Sequence, residues 1–430
     1  MKVEKLTLRN FRNIRECYFY PDGRLNFLIG KNGQGKTSVV EALGFLSLLR
    51  SFRGSKSAEV ISFGENFSEI LCTLRPDPDA AALEIKIIFT ILDLEHTKAS
   101  KQAWINGKTY RSSTQFLSQR FGQFELGFHS IVFNPSDHEL IRGEPSRRRL
   151  YLDQVLSAET AEHLEIIQKY KKVLEQRNSL LKQESFNRAA LASFTEPLVY
   201  YGARVALARL SWIERLNPRL SEISKKIAPG QLPLEMVYQS HWTPQSEAKT
   251  TSKNLDFTIK NERLDSNHFA GHWGVPSLEQ LENGFWKRLA DLESAERRSG
   301  NTLVGPHRDD WMILIGNQVL KGHGSQGEVR SALLALKLAE IELFRKQTGH
   351  RPILLLDDFS SELDLERRSH LLEFLINSDL QVFVTSTEDF TTLGKFFRVS
   401  EGQIQEYRAV GEEPVGRKDD YDRSSESDTN

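Results

Sequence analysis

Residues 25–37 read Leu-Asn-Phe-Leu-Ile-Gly-Lys-Asn-Gly-Gln-Gly-Lys-Thr, and no other stretch of the chain restricts the fold so strongly. A short apolar run, the pattern of a buried strand, enters a loop in which Gly30, Gly33 and Gly35 lead to Lys36 and Thr37. That spacing is the phosphate-cradling P-loop. Its glycines let successive backbone N–H groups turn toward phosphate oxygens, where a Cβ crowds the ligand. Lys31, Asn32, Gln34 and Ser38 complete the cradle, Lys36 reaches the β- and γ-phosphates, and the Thr37 hydroxyl is placed to ligate Mg2+. From Ser38 to Leu49 the chain is apolar nearly all round, which predicts a buried helix with its N-terminus at the anion. A nucleoside triphosphate, ATP, is the expected ligand.

At 430 residues the chain is long enough for two or three domains. Its 57 Lys and Arg against 58 Asp and Glu leave no global basic excess, so any nucleic-acid surface must be local. Two cysteines, Cys17 and Cys72, are too few for a disulfide framework or a metal cluster and favour a reducing compartment. The first residues lack the apolar core of a signal peptide, and no apolar run approaches the ~20 residues of a membrane span. A soluble, cytoplasmic protein is expected.

Ahead of the P-loop, strands are predicted at Val3–Leu8 and around Cys17–Tyr20, with Arg12 close enough in sequence to approach the nucleotide. Strand-like runs at 70–74, 83–94 and 103–110, the last with an Asn106-Gly107 hairpin signal, predict an antiparallel lobe. Between the helix and this lobe lies a basic loop containing Arg53 and Lys56, and a second basic run, Arg147, Arg148 and Arg149, opens a helix further on. From 158 to 299 the chain turns helical and charged. Leu164, Ile167, Leu174 and Leu181 share a heptad-like phase, as do Leu198, Tyr201, Val205, Ala208 and Trp212, so two antiparallel helices are expected. Residues 246–254 read as an exposed loop, and the tail from Val410 reads as disordered.

Ile353-Leu354-Leu355-Leu356-Asp357-Asp358 is a buried strand ending in two carboxylates, the Walker B pattern. Asp357 and Thr37 must share one Mg2+, and Asp358 is then placed to polarise the attacking water as general base. The nucleotide domain is therefore split around an insertion. Ser325-Gln326-Gly327, a hydroxyl and a glycine N–H at a helix start, makes a second phosphate clamp that its own P-loop does not need. Two chains facing head to tail would each close the other's site, which is the ATP-binding-cassette arrangement.

With these segments in place the chain resembles the RecF family of bacterial gap-repair ATPases, related to the SMC chromosome-maintenance proteins. The matching segments are Leu6–Asn13, the P-loop, Val132–Asp137 with Arg147-Arg148, Gly305-Pro-His-Arg-Asp-Asp310, Ser325–Gly327 and Leu355–Asp364. The resemblance implies an ABC-type α/β ATPase head at 1–155 and 301–409, an inserted helical arm at 156–300 and a tail at 410–430. It implies a weak, DNA-stimulated ATPase that dimerises with ATP on DNA at single-strand/double-strand junctions and, with RecR and RecO, helps load RecA. It makes Ser325 the signature serine, Asp364 the D-loop aspartate and Thr385–Thr387 the switch, with Glu328 where the family often has Gln. Arg53, Lys56, Arg147, Arg148 and Arg149 are the candidate DNA contacts. The alternatives are other SMC-like DNA-maintenance ATPases. An overcoming-lysogenisation-type nuclease needs a C-terminal metal-binding nuclease domain, and a cohesion-type protein needs a far longer heptad arm.

Overall fold

The computed structural model describes residues 2–76, 79–110, 112–119, 128–183, 188–243, 275–316, 318–358, 365–389 and 394–407. The N-terminal part runs β1 (Lys2–Phe11), β2 (Ile14–Phe19), β3 (Leu25–Ile29), α1 (Lys36–Leu48), β4 (Phe67–Arg75), β5 (Leu83–Ile91), β6 (Ala99–Ile105), β7 (Lys108–Tyr110), α2 (Ser113–Ser118) and β8 (Ser130–Phe133). Then follow α3 (His138–Arg142), α4 (Pro145–Glu159), α5 (Ala161–Leu181), α6 (Arg188–Ile227), β9 (Leu234–Gln239) and α7 (Leu278–Ser299). The chain closes with β10 (Asp310–Ile315), β11 (Gln318–Val319), α8 (Leu320–His323), α9 (Gln326–Thr348), β12 (Ile353–Leu356), α10 (Leu365–Asn377), β13 (Val382–Ser386), β14 (Lys395–Ser400) and β15 (Gln403–Tyr407).

The central sheet has the order β15-β14-β3-β13-β12-β8, parallel throughout except for β15. Its inner strands β3, β13 and β12, with β8, are buried at every position and mostly apolar because both faces are covered. Leu28, Leu355 and Phe383 face one apolar cluster together with Val40, Leu43 and Phe45 of α1 and the inner face of the lobe. Phe27, Ile29, Leu354, Leu356, Val382 and Val384 face a second, built with α4, α6 and α9. The predicted lobe is a six-stranded antiparallel sheet, β2-β1-β4-β5-β6-β7, and Asn106 and Gly107 turn its last hairpin with φ of 47° and 77°. Strands β14 and β15 were not among the expected elements. Phe396, Phe397 and Val399 bury β14 against β3, and β15 pairs with its outer edge.

The helical insertion departs from the expected boundaries. Its outer part has its own core, in which Ile167 and Tyr170 of α5 meet Leu198 and Val205 of α6 and Leu281 and Phe285 of α7. The 40-residue helix α6 then continues inward, and Trp212, Leu216, Leu220 and Ile223 join the core of the head. Strand β9 likewise pairs antiparallel with β10, which lies beyond residue 300. A division at 156 and 300 therefore cuts through one continuous core. The expected loop at 246–254 and the tail from 410 lie outside the described residues.

Arm and head are joined by buried polar groups around the Gly305–Asp310 segment. Arg209 of α6, 2% exposed, pairs with Asp153 of α4 at 2.7 Å and donates to the Pro306 carbonyl at 2.7 Å. Asp309 accepts from the Tyr238 hydroxyl at 2.8 Å and from the Trp242 indole at 3.0 Å, and Tyr170 and His307 share a hydrogen bond of 2.6 Å. Arg177 closes the arm side against Glu296 and Thr302, each at 2.7 Å. Removing one member of a buried ion pair strands the other. Arg209→Leu is expected to lower the unfolding free energy by about 3 kcal/mol, read as a fall in the urea midpoint at constant slope. A loss under about 1 kcal/mol, within the range of an exposed pair, excludes Arg209 as the buried tie between arm and head.

Candidate functional site

The carboxyl ends of β3, β12 and β13 lie side by side, and ligands of open α/β sheets bind outside such strand ends. β13 separates the P-loop strand β3 from the Walker B strand β12. The register pairs Val382 with Leu25 and Leu354 with Val382, so the strand ends are level. The Thr37 hydroxyl consequently donates to Asp357 Oδ1 at 2.9 Å, across 320 residues of chain. Thr385, at the end of β13, donates to the same oxygen at 2.8 Å and accepts the Asp358 N–H at 2.8 Å. The expected switch residue thus sits between the two acidic residues. Burial raises the pKa of Asp357, and the hydrogen bonds from Thr385 and Thr37 oppose that rise.

Lys36, 8% exposed, donates to the carbonyls of Gly30 and Lys31 at 2.6 and 2.8 Å. Burial lowers its pKa, while Asp358 and Asp357 hold it up. The loop is further pinned by Asn13, which donates to the Gly33 carbonyl at 2.7 Å and accepts from the Ser38 hydroxyl at 2.9 Å. Gln34 accepts the Glu401 N–H at 2.7 Å through its side chain and the Gly402 N–H at 3.1 Å through its backbone. Gly33 and Gly35 have φ of 79° and 109°, a region costly for any residue with a Cβ. Gly30 is required for a different reason: a Cβ there lies 2.3 Å from the Val399 carbonyl oxygen of β14.

Asn13, Gly33, Gly35, Lys36, Thr37, Ser38, Asp357, Asp358 and Thr385 line a cleft of 1370 Å³ that also takes in Asn32, Phe52, Arg53, Ile61, Phe63, Asn134 and Ser136. Arg12 borders it, but the guanidinium is committed: it makes a two-pronged pair with the fully buried Glu41 of α1 at 2.6 and 2.9 Å and donates to Ser55 and the Glu59 carbonyl. Glu41 was missed in the sequence, although a lone carboxylate in a helix apolar all round signals a buried pair. Asn134, at the end of β8 and bordering the cleft, was also missed; its side chain accepts from the Ser136 N–H and donates to Asp137.

Ser325, Gln326 and Gly327 are not among the lining residues of the cleft in their own chain. Ser325 caps α9: its hydroxyl accepts the Glu328 N–H at 3.2 Å, and Glu328 accepts the Ser325 N–H at 2.8 Å. The glutamate where the family often has Gln is thus half of a capping box. Asp364 lies outside the described residues.

The sequence profile of the RecF/RecN/SMC N terminal domain family matches residues 2–402. The DNA replication and repair protein RecF of Syntrophotalea carbinolica is 33% identical over 415 residues, covering 95% of this chain and all of its own length. That of Geotalea daltonii is 30% identical over 410 residues, covering 94% of this chain and likewise all of its own. The chain belongs to the RecF family. A solved structure of the recombination mediator protein RecF with ATPrS, from the RecFOR pathway, covers 95% of this chain and 98% of its own, with TM-score 0.76 and 30% identity. An SMC head bound to the C-terminal winged-helix domain of ScpA shares the fold at TM-score 0.51 and 14% identity, covering 95% and 98% of the two chains. The ABC-type α/β head of the RecF family is the architecture described above. No helix among the described residues is long and apolar enough to cross a membrane.

The five basic candidates for DNA separate in this RecF-family structure. Arg148 is corrected: it is 2% exposed, holds Asp310 through two bonds of 2.7 and 2.8 Å and donates to the Gly143 carbonyl, so it is a core tie and not a DNA contact. Arg149 is half-buried and donates to the Asp309 carbonyl at 2.9 Å. Arg53 lines the cleft, where its charge helps hold the Asp357 pKa down. Lys56 and Arg147 are exposed, Arg147 paired with Glu139. For the loop itself, Gly30→Ala must push β14 aside, which costs about 1–3 kcal/mol as overpacking does elsewhere. Thermal unfolding measures this, and an unchanged midpoint would show that the β14 contact gives way freely.

Proposed function

We propose that this chain is an ATP-binding ATPase that dimerises on DNA and serves recombinational gap repair. The hydrogen bond between Thr37 and Asp357 carries the reading. It brings a hydroxyl and a buried carboxylate to one point beside Lys36, the donor set that a triphosphate and a hard divalent cation require. These two oxygens fit Mg2+, and Thr37 and Asp357 are the residues that would hold it. The ion supplies neutralisation of charge on the phosphates. Gly30 to Ser38 provide backbone N–H groups and the Lys36 ammonium, Thr385 orients Asp357, and Asp358 takes the proton of the attacking water. Arg12 positions the P-loop helix through Glu41.

The RecF relatives include a structure with ATP from the RecFOR pathway, which supports RecR and RecO as partners; RecA loading is the proposed outcome of that partnership. A signature serine absent from the lining of its own cleft supports a site completed by a second copy. Asp364 is the proposed D-loop residue of that interface. Lys56 and Arg147 remain the proposed DNA contacts, and gapped DNA with single-strand/double-strand junctions is the proposed substrate.

Two variants separate binding from chemistry. Lys36→Ala is expected to lose ATP binding, measured by calorimetry, because a cation at the β/γ-phosphates is gone. Asp358→Asn is expected to bind ATP normally and hydrolyse it roughly 100-fold more slowly, the scale of general-base catalysis. Hydrolysis at the parent rate would show that another group takes the proton.

Ser325→Arg tests the shared site. With Mg-ATP it is expected to bind nucleotide yet sediment as a monomer at concentrations where the parent dimerises, and to lose the ATP-dependent part of its affinity for gapped DNA. An ATP-driven dimer as tight as the parent's would leave the chain a single-headed ATPase.

A further inference from the structure

Two short helices meet just ahead of the signature serine. Helix α3 ends at Gly143, and α8 ends at Gly324, the residue directly before Ser325. The last carbonyls of a helix have no partner within it, and long basic side chains can supply one. Here each helix supplies the other. Arg142, the last residue of α3, donates to the Gly324 carbonyl at 3.1 Å, and Lys321 of α8 donates to the Gly143 carbonyl at 3.3 Å. Ile141 and Leu320, both buried, join the same apolar cluster beneath them.

The two bonds are not equivalent. The Gly143 carbonyl also accepts from the buried Arg148 at 2.7 Å, so it keeps a donor without Lys321. Arg148 in turn holds Asp310 of β10, which makes the end of α3 a firm base for Arg142. Arg142 itself acts on the peptide that joins Gly324 to Ser325. On its other side Ser325 is fixed by α9, a helix buried along most of its length, whose first turn it caps through Glu328. Ser325 is exposed, as a group that meets a second chain must be. Its direction therefore depends on one exposed guanidinium reaching across from a helix 182 residues earlier.

We infer that Arg142 is a positioning residue: through the Gly324 carbonyl it holds Ser325 in the orientation in which the serine reaches the nucleotide of a second copy. It is not among the lining residues of its own chain's cleft, so its effect is felt in the partner's site. The inference rests on the shared-site reading given above, and the test separates the two.

The test compares the full chain with Arg142→Ala, Arg142→Lys and Lys321→Ala by Mg-ATP calorimetry, sedimentation and hydrolysis rate. Arg142→Ala is expected to bind Mg-ATP as the parent does and to dimerise roughly ten-fold more weakly, the scale of one hydrogen bond to a charged group. Its hydrolysis at saturating ATP is expected to fall with it. Arg142→Lys keeps a charged donor and is expected to restore most of both, and Lys321→Ala is expected to stay near the parent. The deciding arm mixes Arg142→Ala with Asp358→Asn. In the mixed dimer the first chain supplies intact Walker motifs and the second an intact serine clamp, so hydrolysis is expected to exceed the sum of the two variants alone. No gain on mixing, weaker Mg-ATP binding by Arg142→Ala, or parent-level dimerisation and hydrolysis by it would each overturn the positioning role while leaving the shared site standing. A parent chain that forms no ATP-driven dimer would overturn the shared-site reading and this inference with it.

Discussion

The hydrogen bond from Thr37 to Asp357 joins segments 320 residues apart, and neither segment alone sets the distance between the two partners. Thr37 is fixed by the P-loop, and Asp357 by the last residue of β12. What sets their separation is β13, whose parallel registers with β3 and β12 hold the two strand ends level. Parallel strands bring no short turn to define their alignment, so register depends on side chains facing the right core. A slip of one residue would turn Leu354 and Val382 from one cluster to the other and carry Asp357 away from the threonine. The chemistry at the cleft is thus secured by aliphatic packing on both faces of the sheet.

The same logic explains why charged groups occur so far inside. Glu41 sits in α1 between two sheets, and Arg12 enters from the β1–β2 turn to satisfy it with two bonds. Arg148 and Arg209 do the corresponding work beneath the insertion, against Asp310 and Asp153. An apolar core of this size tolerates many packings. A guanidinium with one matching carboxylate tolerates few, and each of these pairs joins elements distant in sequence.

The P-loop, the Walker B pair, the antiparallel lobe and the capped signature helix were legible in the sequence because each is a local pattern with a fixed spacing. What was not legible depends on tertiary placement. The triplet Arg147, Arg148 and Arg149 looks uniform as a string, yet the helix turns these residues to solvent, to Asp310 and to the Asp309 carbonyl respectively. The role of Gly30 was read as phosphate approach, but its neighbour is the β14 carbonyl, from a strand more than 300 residues later that the sequence pattern did not reveal. The boundary of the insertion was placed where composition changes, whereas α6 crosses from one core into the other without a break in its apolar stripe.

That helix has a mechanical consequence. Pro197 and Pro218 each remove a backbone hydrogen bond, so bending is concentrated at two points. Between them runs an uninterrupted rod of about 30 Å at 1.5 Å per residue, clamped near its middle by Arg209. A tilt imposed at the head end cannot be absorbed within the rod. It is delivered to the outer core of the arm as a displacement that grows with distance from the clamp.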